Sequence, residues 1–314
     1  MAAAKLVLDN IHPTLSQPPQ DHNTYVLGDI NGHNVVVACL PSGVYGTTAA
    51  AVVGSQMLST YHKIRFGLLV GIGGGVPSAS VDIRLGDVVV SSPTGVLPGV
   101  VQYDFGKTME SGRIERIGSL NLPHPALLTA LSAVRSNHMM TSPKFWIYVS
   151  EILRSREQHD DEEPSIFPYP GQEHDVLFRA NYRHLDSEPD CWSCDWTQAV
   201  GRRQRLSKSP KVHYGLIASG NQVMKDGHTR DSLARELGII CFEMEAAGLM
   251  NHFPCLVIRG ICDYADSHKN KNWQGYAALT AAAYARELLS AISSIHPEPG
   301  TRMDSRVQVP GQCM

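Results

Sequence analysis

A series of short apolar runs, mostly β-branched and mostly closing on glycine or polar residues, constrains the fold of this chain more than any other feature. They are HNVVVACLP (33–41), FGLLVGIGGGVP (66–77), GDVVVSSP (86–93), VHYGLIASGNQ (212–222), IICFEME (239–245) and CLVIRGICDYAD (255–266). Runs this short and this uniformly apolar suit strands buried on both faces. Helical patterns lie between them. A glycine turn feeds TTAAAVVGSQMLSTY, DSLAREL stops at Gly238, residues 124–135 repeat with helical spacing, and an alanine-rich NWQGYAALTAAAYARELLSAI follows the last run. Alternation of the two patterns predicts an α/β fold: a three-layer sandwich with a mixed, largely parallel central sheet covered on both faces.

In such sheets ligands gather beyond the carboxyl ends of the strands. The glycines at 71–75, the SGNQ turn, the Glu243-Met244-Glu245 run and the CDYAD segment all fall at strand ends. The glycines let backbone amides approach an anion or a sugar, which marks Gly73 and Gly74 as contacts, while their alternative use is a tight turn with positive φ. No lysine follows at phosphate-loop spacing and no G-x-G-x-x-G is present, so the common nucleotide fingerprints are unmet.

Glu243 and Glu245 stand two apart, so on an extended segment they share a face and suit two hydroxyls of a ribose, with Met244 turned toward the sugar where the strand bends. The same acids equally suit the N-terminal dipole of the helix that follows. Asp263 ends an apolar run, where burial favours the protonated form that a general acid needs. A turn or cap is its other use. Arg259, four residues earlier, either holds an acid ionised or orients Glu245. Together these groups suit cleavage of a glycosidic bond, in which carboxylates stabilise an oxocarbenium-like state and an acid protonates the leaving group.

Composition excludes several classes. A formal charge of −3, with no basic stripe, carries no footprint of nucleic-acid binding. No apolar stretch reaches bilayer length and no signal peptide is evident, so a cytoplasmic protein without membrane contact is expected. The seven cysteines are read as reduced thiols. Cys191 and Cys194 form a lone C-x-x-C with no second pair at ligand spacing, so they are expected to be loop thiols, and no metal is expected. The chain opens on a short amphipathic helix stopped by Pro13. Residues of about 137–210 differ in composition and are read as a polar, partly helical and partly disordered insertion in one domain spanning 1–295. Residues 296–314 are expected to form a disordered tail.

In this order, SGVYGTTAA (42–50), GIGGGVPS (71–78), LGDVVVS (85–91), SGNQVMKD (219–226), FEMEAAG (242–248) and RGICDYAD (259–266) resemble the purine nucleoside phosphorylase and methylthioadenosine nucleosidase superfamily. The likeness covers roughly 33–135 and 211–291, and is strongest to a fungal branch associated with signalling proteins. It implies a nucleoside phosphorylase-type sheet, a homo-oligomer, and neither metal nor organic cofactor. It makes Asp263 the acid at purine N7, gives Glu245 and Met244 to the ribose, and has Arg259 order the nucleophile site. Asn221, Gln222 and Val223 would border the base.

Two departures accompany the likeness. Family members begin with a strand near the active site, which carries a glutamate in the nucleosidases. This chain starts at what reads as the following helix, so that strand and its acid are expected to be absent: either the chain is truncated, another segment substitutes, or activity is lost. Ile72 stands where relatives offer a hydroxyl, and the turn after 33–41 lacks a phosphate-binding arginine. The expectation is therefore hydrolysis of a purine, adenine-type, nucleoside or nucleotide by water. The alternatives are phosphorolysis with phosphate as partner, and a catalytically silent nucleoside-binding module. Lys225, His228 and Arg230 are a candidate contact for a 5′-phosphate.

Overall fold

A computed structural model describes residues 1–110, 114–158, 166–185, 188 and 190–294. The chain opens with α1 (Ala2–Leu6), followed by an antiparallel sheet of β1 (Asn10–His12), β2 (Tyr25–Ile30) and β3 (His33–Ala38). Asn31 and Gly32 turn β2 into β3 with φ of 49° and 76°, the left-handed pair that a two-residue hairpin requires. The opening helix is shorter than expected. It ends before Pro13 acts, because Ile11 leaves the helical face to join β1, opposite Gly28 of β2, and is exposed.

After α2 (Thr47–Thr60) come β4 (Gly67–Gly75), β5 (Val88–Ser91), β6 (Val100–Gln102) and a small hairpin of β7 (Gly106–Thr108) and β8 (Ile114–Arg116). Helices α3 (Pro125–Met140) and α4 (Phe145–Gln158) precede β9 (Val212–Ser219), α5 (Gly227–Leu237), β10 (Ile239–Glu243), α6 (Ala246–Leu249), β11 (Cys255–Asp263) and α7 (Gln274–Ser290). The central sheet runs β10-β4-β11-β5-β9-β6, and an additional β9–β10 pairing joins its two sides into a ring. Four of its pairings are parallel and two, β10–β4 and β11–β5, are antiparallel. The sheet is therefore mixed, as the sequence predicts. The ring adds a constraint, since it brings the ends of β4, β10 and β11 together. Among the described residues no N-terminal strand joins this sheet.

Helix α7 forms the centre of the main apolar cluster, with Leu279, Ala281, Ala283, Tyr284 and Leu288 fully buried against β11, β4 and β5. Its alanines allow close approach to the sheet. At the nearest point a Cβ on Gly260 would stand 1.8 Å from the Ala277 carbonyl oxygen, so only glycine fits there.

The 137–210 segment is stitched to the body by polar ties. Glu287 of α7 accepts the N–H groups of Lys144 and Phe145, each at 3.0 Å, at the start of α4, and also meets His138. Arg205 forks onto the buried Asp87 with contacts of 2.7 and 2.8 Å. Arg202 reaches Asp175 and the Tyr264 hydroxyl. The expected tail of 296–314 and the acidic run at 159–165 lie outside the described residues.

Candidate active site

The glycines of β4 serve packing, and their backbone needs no unusual conformation. Gly71, Gly73, Gly74 and Gly75 all lie within the strand and none has a positive φ. The tight-turn reading of this cluster is corrected accordingly. A Cβ at Gly71 would stand 2.2 Å from Arg259 Nη1, and one at Gly74 would stand 2.8 Å from Asp263 Oδ1. Gly73 faces the Phe242 carbonyl at 2.9 Å by the same measure. The absent side chains leave room for an arginine and a carboxylate to fold over the strand.

Arg259 occupies the first of these spaces. It is 4% exposed, and its Nη2 meets both Glu243 Oε2 and, at 3.1 Å, Glu245 Oε2. Burial opposes its charge, yet the Glu243 and Glu245 carboxylates outweigh that and hold its pKa above the ordinary value. Glu243 also accepts the N–H groups of Glu245 at 3.1 Å and Ala246 at 3.0 Å, at the start of α6. The two acids therefore diverge. Glu243 is buried and spent on Arg259 and backbone donors, which is the helix-terminus role and not a ribose grip. Glu245 and Met244 remain part-exposed at the strand end.

Asp263 ends β11 opposite Gly74, after a register irregularity that follows Ile261. It is 7% exposed. Its Oδ1 accepts the Ala265 N–H at 2.8 Å, and Ala265 takes a left-handed φ of 52° to supply it. Its Oδ2 has the Lys269 ammonium at 3.2 Å and the Cys262 thiol at 3.3 Å. A non-glycine residue held at positive φ costs about 1–2 kcal/mol, and such strain concentrates at functional sites. The acid is thus fixed by a strained turn and matched by a cation that sequence reasoning had not placed there.

The SGNQ loop approaches from β9. Asn221 Oδ1 accepts both the backbone N–H and the hydroxyl of Thr47, at 3.0 and 3.1 Å, which ties this loop to the start of α2. Its own N–H donates to Asp104 at 2.7 Å. The Gln222 carbonyl accepts the Tyr103 hydroxyl at 3.0 Å, and the Tyr103 ring stands edge-on to Phe242 at 5.6 Å. Burial, with Asp104 beside it, pushes the Tyr103 hydroxyl up to about 12. Val223 is 44% exposed, as an open apolar contact would be. The Lys225, His228, Arg230 cluster does not assemble as expected. Arg230 is buried and turned inward onto the Tyr264 carbonyl at 2.9 Å, while Lys225 and His228 are exposed.

Sequence reasoning missed Lys269, Tyr103 and Asp104, and also the way the 137–210 segment grips the loop after Asp263. Tyr264 donates to Asp175, its hydroxyl accepts from Arg202 at 2.7 Å, and Ser267 Oγ accepts the His184 N–H at 3.0 Å. These partners are separated by tens of residues or more, so no local spacing announces them. No described acid from the N-terminal segment reaches this region. Asp9 meets Arg286, Asp21 meets Tyr25 and Thr60, and Asp29 meets His12.

A family model described as the Phosphorylase superfamily matches residues 3–294. A nucleotide-binding leucine-rich repeat (NLR)-like protein of Hyaloscypha variabilis is 49% identical over 294 residues, covering 93% of this chain and 28% of its own length. A 5′-methylthioadenosine/S-adenosylhomocysteine nucleosidase of Mycobacterium tuberculosis is 32% identical over 87 residues, or 26% of this chain and 34% of that protein. The chain thus spans about a third or less of the curated relatives it matches. Among solved structures, an adenine-bound protein described as a putative nucleosidase of the same name from Borrelia burgdorferi has a TM-score of 0.58 at 17% identity, covering 92% of this chain and 96% of that one. The futalosine hydrolase of Helicobacter pylori has a TM-score of 0.54 at 16% identity, with 92% of each chain covered. At these identities the structures establish the shared fold.

Proposed function

The chain belongs to the Phosphorylase superfamily, and on that premise we propose that it hydrolyses the N-glycosidic bond of a purine, adenine-type, nucleoside or nucleotide. The observation that carries this reading is that Arg259 and Asp263 lie against the glycines of β4, with Glu245 held on Arg259, where β4, β10 and β11 pair. The relatives' names support the same chemistry, since 5′-methylthioadenosine/S-adenosylhomocysteine nucleosidases and a futalosine hydrolase are among them.

In this reading the C1′–N9 bond breaks with its electron pair moving into the purine, and Asp263 delivers a proton to N7. Water bonds to C1′ and releases a proton, giving ribose or ribose phosphate and free base. Glu245 and Met244 hold the sugar hydroxyls, and Arg259 keeps Glu245 ionised and oriented. Glu243 acts one step back, by fixing Arg259. Asn221, Gln222 and Val223 border the base, and the Gly73–Gly74 backbone lies beneath the sugar. The substrate must displace Lys269 from Asp263 as it enters.

The test is to incubate the purified chain with adenosine, AMP, ATP, inosine and guanosine, with and without phosphate, and to follow free base by chromatography. Base released without phosphate supports hydrolysis. Strict phosphate dependence assigns phosphorolysis instead. One observation favours a second reading: both oxygens of Asp263 are engaged, and no described acid of the N-terminal segment reaches the site to activate water. Measurable nucleoside binding with no base released would make the chain a binding module.

A further inference from the structure

The loop thiols Cys191 and Cys194 acquire a partner in three dimensions. The ligand atoms of His184, Cys191 and Cys194 all lie within 4.8 Å of one another. Ligands at Zn–S of about 2.3 Å and Zn–N of about 2.0–2.1 Å in a tetrahedron stand about 3.3–3.8 Å apart, so side-chain movements of about 1 Å close the trio. Both cysteines are thiols, with Cys194 buried and Cys191 half-buried.

The surroundings match a metal-ligating histidine. His184 Nε2 is 2.6 Å from the Asp190 carbonyl oxygen. With Nε2 donating there, Nδ1 is the nitrogen left to ligate, and a second-shell carbonyl fixes the ring in the manner usual for zinc-bound imidazole. A fourth candidate, His268, lies next to this trio but outside its 4.8 Å set, so its ring must move to join it. The ring of His268 is perpendicular to that of His184 with centroids 5.5 Å apart, and both of its nitrogens are buried without a hydrogen-bond partner. Its nearest acidic oxygen, Asp266 Oδ1, is 3.6 Å from Nδ1, beyond hydrogen-bond range. An imidazole more than nine-tenths buried, with both nitrogens unpaired, is costly unless something binds it.

We propose that His184, Cys191 and Cys194, with His268 as the fourth ligand, form a structural zinc site that staples the 166–210 segment to the loop following Asp263. The expected absence of metal is revised by this proposal. Its position gives it a purpose. His268 adjoins Lys269, the cation on Asp263, and its ring stacks on Phe178 at 4.2 Å, inside the same segment. Zinc would fix the far side of the loop that Tyr264 and Ser267 already fix on the near side. Two thiolates and two imidazoles favour zinc over calcium or magnesium, which take oxygen ligands.

The test is metal content, which does not depend on turnover. The full chain, purified under reducing conditions and passed through gel filtration, is expected to carry about one zinc per chain by mass spectrometry of the ash. After zinc is stripped, cobalt(II) should produce a thiolate-to-metal charge-transfer band. The C191S/C194S double variant should lose both signals, and Cys39→Ser should keep them. His268→Ala should weaken zinc binding roughly 10- to 100-fold. Wild-type chain without zinc and without the cobalt band overturns the proposal even where the double variant fails to fold. So does a C191–C194 disulfide that persists under reducing conditions, or zinc retained by the double variant. Unchanged affinity in His268→Ala removes that residue from the site.

Discussion

The ammonium of Lys269 stands 3.2 Å from one oxygen of Asp263, while the Ala265 N–H occupies the other at 2.8 Å. The residue best placed to protonate a leaving base is therefore held at both oxygens before any ligand arrives. One contact is part of the backbone turn. The other is a flexible side chain, which yields more easily to a purine than the buried Cys262 thiol, 3.3 Å from the same oxygen.

Asp263→Asn keeps the shape of the turn but removes the transferable proton. It is expected to lower kcat by about 10²–10⁴-fold with an unchanged circular dichroism spectrum. Lys269→Met removes the competitor for Oδ2. It should lower KM about 10-fold, the order of one hydrogen bond to a charged group. Full activity in the asparagine variant would exclude Asp263 as the acid.

Gly74→Ala separates packing from chemistry at the same place. The new Cβ would meet Asp263 Oδ1 at 2.8 Å and the Ala265 Cβ at 2.9 Å, so the acid and its strained turn must shift. A displacement approaching 1 Å at a reacting group costs on the order of 100-fold in rate. The expected result is folded protein with turnover reduced by about that factor. A thermal melt run beside the assay checks that the loss is not unfolding.

Arg259 and Glu245 should respond differently to substitution. Arg259→Ala leaves Glu243 buried without its countercharge, which costs about 3–5 kcal/mol and appears as a large fall in the denaturation midpoint. Glu245→Gln keeps the shape and can still accept from Arg259 at this partly buried edge. It should lower activity at least 10-fold with under about 1 kcal/mol lost. If both variants lose stability equally, Glu245 is a structural partner and not a sugar contact.

Apolar runs made the central sheet readable, because burial writes a signal of Val, Ile and Leu at β4, β5, β9, β10 and β11. The similar run at 33–41 misled: β3 belongs to the separate antiparallel sheet and is only partly buried. The strand-end positions of Glu245 and Asp263 followed from the same runs, whereas Arg259 lies in the middle of β11 opposite Gly71. The glycines of β4 were left with two readings for a physical reason: glycine marks either positive φ or close approach, and sequence does not distinguish them. Gly71 and Gly74 answer to side chains of a neighbouring strand. The ring closure through β9 and β10 is a register property with no local trace. Polar ties such as Arg205–Asp87, 118 positions apart, have no periodicity to detect. His184 was within reach, since a histidine seven positions before a C-x-x-C is a weak ligand signal, but His268 comes from a distant loop.

The tie between α4 and α7 predicts a measurable acid limb. Burial raises the pKa of Glu287, but the bonds from His138 and from the N–H groups of Phe145 and Lys144 outweigh it, leaving it below the ordinary 4.5. Asp87 follows the same pattern, with burial opposed and overcome by His213 and Arg205, and ends below 3.8. A depressed folded pKa means that the unfolded chain takes up protons first. The stability from these groups is therefore complete above their ordinary values and is lost as pH falls through the folded ones. Unfolding free energy, measured by urea titration at pH values from about 6 down to 3, should decline steeply below about pH 4.5. Glu287→Gln should lower stability at neutral pH by about 2 kcal/mol, because it replaces bonds to a charged acceptor with weaker neutral ones. It should also flatten the acid limb, since the group that titrates is gone. Parallel limbs in the variant and the wild type would show that Glu287 does not hold α4 through its charge.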